Sequence, residues 1–131
     1  MSIATGVFEV ASWKEDTYQE LDGGGKLTRA SVGGSLTGDL TGNTSVEWLM
    51  CYQKSGSARY VGLQRVEGSL HGRKGTFVIE SIGEFDGGQA TGTWSVVPGS
   101  GTEALAGLRG SGRFQAPLGS KATFTLDYAI E

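Results

Sequence analysis

Short runs rich in Val, Ile, Thr, Phe, Tyr and Trp recur along the whole chain, alternating with polar or small residues and separated by glycine-containing turns. Alternation of period two is the signature of strands with one covered face, and it leaves almost no room for helices. About eight strands follow, at roughly 2–13, 26–41, 44–54, 57–72, 75–86, 89–97, 109–116 and 121–131. The single helical candidate is a short turn within Thr102 to Leu108, bounded by Gly101 and Gly107. The segment Gly34-Ser35-Leu36-Thr37-Gly38 recurs as Gly68-Ser69-Leu70-His71-Gly72, a likeness that similar strand environments explain as well as duplication does.

Length allows one core: 131 residues make one domain that buries most of its apolar surface. Twenty-three glycines against two prolines suit turns and crowded backbone rather than disorder.

Two-residue hairpin loops would fix which residues face each other. With loop centres at Gly42-Asn43, Ser55-Gly56, Arg73-Lys74 and Gly87-Gly88, Gly38 faces Glu47, Glu47 faces Gln64, Gln64 faces Gly83 and Gly83 faces Gly92. The same parity gathers Leu36, Leu40, Leu49, Cys51, Val66, Leu70, Phe77, Ile79, Phe85 and Val96 on one face, with Gly34, Gly38, Gly62, Gly68, Gly83 and Gly92. Bulky apolar residues mixed with glycines fit the inside of a strongly coiled sheet. Closure removes the open edges of so long a sheet, which favours an all-β, single antiparallel barrel over a two-sheet sandwich.

The opposite face carries Thr76, Thr91, Thr93, Arg65, Glu67, Glu80 and Glu84, and also Val46, Trp48, Met50, Tyr52, Val61, Leu63, Val78 and Ile82. An exterior apolar patch of this size predicts a homo-oligomer joined through the third to fifth strands; cover by a loop or terminal segment is the alternative.

This register puts Glu47, Gln64, Ser81, Trp94 and Tyr128 inside. Burial raises a carboxylate's pKa toward neutrality unless donors compensate, so Glu47 is the candidate general acid or base. Gln64, Ser81, Trp94 and Tyr128 are the candidate ligand-binding residues, offering an amide, two hydroxyls and an indole N–H beside a flat wall. The same groups could equally satisfy one another in a filled core.

Other chemistries lack their residues. His71 is the only histidine, beside the Gly72 to Gly75 turn and on the outer parity, so a His-based zinc site or a Ser-His-Asp triad is not available. Gly99-Ser100-Gly101-Thr102 lacks the lysine and length of a P-loop, and Asp86-Gly87-Gly88 and Asp22-Gly23-Gly24-Gly25 are turns rather than calcium loops. No metal or cofactor is expected. Cys51, alone and among apolar neighbours, reads as a small buried hydrophobe. Arg109 and Arg113 are expected to point outward, and Trp13 to sit at a barrel mouth or in plain packing. The net charge of −3 with scattered basic residues argues against nucleic acid as partner. No stretch is apolar enough for a membrane helix or a secretory leader, so a cytoplasmic protein is expected.

Ala11-Ser12-Trp13, Lys26 to Val32, Val61 to Gly68 and Val96 to Leu108 together resemble a bacterial domain family of unknown function, over almost the whole chain. That family is similar in fold to the allene oxide cyclase barrels, which implies an eight-stranded closed barrel that oligomerises and implies no settled activity. In the family pattern the position of Gln64 is often glutamate and the Glu80-Ser81 pair often glutamine-histidine. An acid/base pair made of those residues cannot be repeated by Gln64 and Ser81, which leaves Glu47 as the inner proton acceptor.

Three functions are compatible with this reading. The first is a barrel that binds a small apolar or amphipathic molecule, the second a cofactor-independent isomerase or cyclase using Glu47, and the third a structural oligomer with a filled core.

Overall fold

A computed structural model describes residues 1–117 and 121–131. Eight antiparallel strands close into a barrel in chain order, β1 (Ser2–Glu20), β2 (Lys26–Gly38), β3 (Leu40–Tyr52), β4 (Ala58–Leu70), β5 (Arg73–Phe85), β6 (Gln89–Val96), β7 (Leu108–Pro117) and β8 (Ala122–Ile130). β8 returns to β1 through Ser2 to Phe8, which pair with Tyr128 to Ala122. The helical candidate is a single 3-10 turn at Glu103–Leu105. Among the described residues no helix is long and apolar enough to cross a membrane.

β1 is longer than its apolar pattern suggests. It runs on through Lys14, Glu15 and Asp16 to Glu20, because β2 supplies hydrogen-bond partners from Gly6 to Glu20 while burial is not required. Bulges at Val10/Ser12 and Thr17/Gln19 coil this overhang.

The turns decide the register, and two of them differ from the two-residue loops that the sequence suggests. Gly42-Asn43 is not a turn: both residues lie within β3, and the chain reverses around Asp39, with Leu36 opposite Gly42. β3 and β4 are joined through Lys54-Ser55-Gly56, with Gln53 N–H donating to the Ser57 carbonyl at 2.8 Å and Gly56 at φ +94°. That is a three-residue hairpin closed by a left-handed glycine. Each change shifts the pairing by an odd number of residues, and an odd shift exchanges the faces of a strand. The two shifts cancel for β4 and beyond, so β3 alone is inverted relative to the sequence reading.

Val46, Trp48 and Met50 are therefore buried, while Glu47, Leu49 and Cys51 are exposed. Glu47 stands across from Leu63, not from Gln64, whose partner is Val46. The predicted inner positions of Glu47, Leu49 and Cys51 and the predicted outer positions of Val46, Trp48, Met50 and Tyr52 are thereby corrected. Continuous hydrophobicity from Val46 to Tyr52 gave no internal means of choosing the face. Beyond β4, His71-Gly72, both at positive φ, form the two-residue turn into β5, two positions from the anticipated Arg73-Lys74. This even offset preserves the faces. Gly83 opposite Gly92 and Ser81 opposite Trp94 match the expected pairing.

Two apolar clusters divide the interior. At one end Leu36, Leu40, Leu70, Phe77, Ile79 and Leu126 pack tightly with their neighbours, and Leu105 of the 3-10 turn closes the barrel. At the other end Trp48 and Tyr60 form the centre of a looser aromatic cluster. Glycines explain how so many rings fit. A Cβ on Gly62 would come within 2.6 Å of the Trp48 ring, on Gly83 within 2.7 Å of Tyr60 and on Gly92 within 2.5 Å of Phe114. In each case the glycine is the ring's direct cross-strand partner, so its missing side chain is the ring's seat.

Candidate functional site

The aromatic end of the barrel is hollow. A cavity of 270 Å³ opens there between the inner faces of the strands. Trp48, Tyr60 and Phe114 meet around it, with Trp48 and Tyr60 edge to face at 4.8 Å between centroids and Phe114 tilted against both at 6.2 and 6.4 Å. Trp94, tilted at 6.1 Å to Phe114, is part of the lining, as are Phe8, Tyr52 and Phe85. The space itself comes from small residues: Ala90 and Ala116, paired across β6 and β7, and Ala122 at the start of β8.

A hydrogen-bonded amide lies in this largely apolar wall. Thr44 Oγ1 donates to the Arg65 carbonyl at 2.9 Å, so its oxygen is left to accept, and Gln64 Nε2 donates to it at 2.8 Å. This chain orients the amide toward Thr44, and among the described residues no other hydrogen bond is made by its carbonyl oxygen or second N–H, which are left for a group in the cavity that Gln64 lines. Gln64 is 1% exposed, so those groups have little water to satisfy them.

The rim carries the charge. Val10 and Trp13, both about half exposed, line the mouth from the overhanging part of β1. Trp13 Nε1 donates to Glu15 Oε1 at 3.0 Å and Thr28 Oγ1 donates to Glu15 Oε2 at 2.7 Å, while Lys26 Nζ lies 5.3 Å from the Tyr52 ring centroid. Burial works against the ionised form of Glu15. The hydrogen bonds from Thr28, Trp13 and Tyr52, with the charge of Lys26, outweigh it and hold the carboxyl below its usual 4.5. Burial first, and Glu15 second, push the Tyr52 hydroxyl up to about 12. Burial also pushes Tyr60 upward.

A lowered carboxyl pKa has a definite sign in stability. The native state favours the ionised Glu15, so this contribution is complete above pH 4.5 and is lost as pH falls through the lowered value. Glu15→Gln is expected to lower the urea midpoint slightly at pH 7, and the gap between variant and parent should close on acidification below 4.5. A gap that is constant from neutral to acid pH would show that the rim hydrogen bonds do not depend on the charge.

The sequence-derived candidates separate. Gln64 and Trp94 line the cavity. Ser81 is fully buried beside Trp94, and its hydroxyl has no hydrogen-bond partner. Tyr128 is interior but packs in the closed-end cluster, where its hydroxyl meets His71 Nδ1. His71 Nε2 is 3.6 Å from Asp39 Oδ1, and Asp39 Oδ2 accepts the Thr5 N–H at 2.9 Å, so this chain ties the β2–β3 turn and the β4–β5 turn to β8 and β1. Arg109, paired to Glu131 at 3.0 Å, and Arg113 are exposed.

Glu47 is on the outside of the barrel. Its Oε1 accepts from Arg29 Nε at 3.0 Å, Arg29 Nη2 at 2.8 Å and Ser31 Oγ at 2.9 Å, which together hold its carboxyl below the usual range. Its side chain is about half exposed, on the face of the sheet opposite Gln64 and Trp94. The inverted β3 is the cause: a carboxylate predicted to be desolvated is instead hydrated and paired. The residues missed by sequence reasoning are chiefly Trp48, Tyr60, Phe114 and Ala90. Reading Lys54-Ser55-Gly56 as a three-residue loop would have recovered Trp48.

Among the described residues no three His, Cys, Asp or Glu side chains converge on a metal-sized space. A wider hollow of 800 Å³ lies over Thr91, Thr93, Arg113, Thr123 and Thr125, a shallow saddle rather than an enclosed site.

No curated protein matches the chain. Among solved structures, a protein of unknown function from the DUF3224 family of Shewanella oneidensis MR-1 is similar to it, with 30% sequence identity and a TM-score of 0.85 over 100% of this chain and 98% of that one. The model of that family, described as a protein of unknown function (DUF3224), matches residues 4–128. The closed eight-stranded barrel and the match over nearly the whole length agree with the resemblance read from the sequence, and the chain belongs to the DUF3224 family.

Proposed function

We propose that this protein binds a small apolar or amphipathic molecule inside its barrel. The observation that carries the reading is the 270 Å³ aromatic cavity at one end of an otherwise well-packed interior. Packed interiors rarely leave voids larger than a water molecule, and an opening lined by rings with one oriented amide is the usual form of a ligand pocket. Support also comes from the alanines at Ala90, Ala116 and Ala122, where larger apolar residues would fill the space. Calorimetric titration with toluene tests the reading. Saturable one-to-one binding is expected, with amide shifts on NMR confined to the lining residues; only non-saturating heat and scattered shifts would overturn it.

A second proposal concerns assembly. Leu49, Val61, Leu63 and Ile82 form a contiguous exterior patch on β3 to β5, each about half exposed. This differs from the patch expected from sequence, since the inward side chains of β3 have left it and Leu49 has joined. Its rim carries both signs in the Arg29–Glu47 and Arg59–Glu84 pairs, at 2.8 and 3.6 Å, so a two-fold related copy can meet opposite charges around an apolar centre. Light scattering coupled to sizing is expected to give a multimer for the parent chain and a monomer for Leu63→Glu. A parent that stays monomeric at high micromolar concentration would remove the proposal.

A further inference from the structure

Resting on the cavity reading above, we infer that the ligand is an uncharged, ring-sized alcohol whose hydroxyl pairs with the Gln64 amide. Size is the first argument. Filling 270 Å³ at the density of a protein interior leaves room for about a dozen non-hydrogen atoms, one ring with a short substituent. The second is polarity. Gln64 presents a carbonyl acceptor and an N–H donor from one planar group, and its orientation is locked by the Thr44 to Arg65 carbonyl chain. A hydroxyl is the smallest ligand group able both to donate to and to accept from such an amide.

Charge is the third argument. Among the described residues the cavity lining contains no Asp, Glu, Lys, Arg or His; its titratable groups are Tyr52 and Tyr60, hydroxyls that are neutral at pH 7 and that burial pushes further from ionisation. A ligand carboxylate or ammonium would lose its hydration there with no counter-charge inside. At the rim Glu15 already accepts from Thr28 and Trp13 and interacts with the charge of Lys26, so the two rim charges offset each other.

Three probes of one shape separate these claims: benzyl alcohol, toluene and benzoate, titrated at pH 7 by calorimetry and tryptophan fluorescence. Benzyl alcohol is expected to bind saturably and benzoate to show no saturable binding over the same range. Gln64→Leu is expected to weaken benzyl alcohol by at least roughly five- to tenfold, the loss of one or both hydrogen bonds to the amide, while toluene binds as before or more tightly. Gln64→Met, closer in shape, replaces it if the leucine variant does not fold by circular dichroism. Equal weakening of alcohol and toluene, or benzoate binding as well as the alcohol, would overturn the inference while leaving the cavity reading intact. Failure of both toluene and benzyl alcohol to bind the parent protein would remove the cavity reading itself, and this inference with it.

Discussion

Phe77→Ala is expected to lower the unfolding free energy by about 3–5 kcal/mol, a large part of the roughly 5–15 kcal/mol that holds a typical domain together. Phe77 is 1% exposed and sits on β5 in the closed half of the barrel, among Leu36, Leu40, Leu70 and Leu105. Val66 of β4 pairs with Phe77 on one side, and on the other Val97, Ser100 and Thr102 hydrogen-bond to Val78 and Thr76, so the backbone is fixed and the neighbours cannot collapse into the space left by the ring. The loss therefore includes the transfer free energy of the ring and the cost of the void. Urea denaturation followed by circular dichroism measures it. Phe85→Ala at the hollow end is expected to cost distinctly less, because Phe85 is only partly buried and already borders open space. Equal losses at the two ends would contradict the division of the interior into a packed half and a hollow half.

Ala90→Phe is expected to reduce toluene affinity at least tenfold, with folding stability changed by no more than about 1 kcal/mol. Ala90 lies on β6 between Phe85 of β5 and Ala116 of β7, and its methyl faces the cavity. A phenyl group added there enters existing space instead of displacing packed atoms, so occupancy by the protein replaces occupancy by the probe. The same added volume at a site without a cavity would strain the core by about 1–3 kcal/mol. Calorimetric titration and urea midpoints read the two effects separately. Unchanged affinity would place toluene somewhere other than the barrel, and a stability loss of several kcal/mol would show that the cavity is closed in solution.

Much of the fold was legible in the chain because it depends on local chemistry. Alternation on β8, with Phe124, Leu126 and Tyr128 inward, identified its buried face directly. Asp86 marked a turn, and its Oδ1 accepts the Gly88 and Gln89 N–H groups at 2.8 Å, which fixes the β5–β6 register that the sequence reading obtained. The candidate site was less legible. Gln64 and Trp94 were found because their strands alternate cleanly, whereas Glu47 was lost because β3 does not: Leu49 and Cys51 on its exposed face are as apolar as Val46 and Met50 on its buried one. With composition silent, the face of β3 depended on the lengths of two turns. Gly42 resembles a turn residue but lies within β3 at φ +146°, where a Cβ would come within 2.2 Å of the Glu67 carbonyl.

The chain by itself determined an antiparallel β-barrel of eight strands, with inward glycines and apolar residues, because strand periodicity and turn chemistry act over a few residues. Only the tertiary structure decided which half of the interior is filled and which is hollow, since that depends on rings from β3, β4 and β7 meeting over glycines of neighbouring strands. It also decided that Glu47 is a solvated partner of Arg29 rather than a buried acid. The physical reason is parity: a shift of one residue in strand pairing leaves the backbone ladder intact yet moves every side chain of that strand through the sheet.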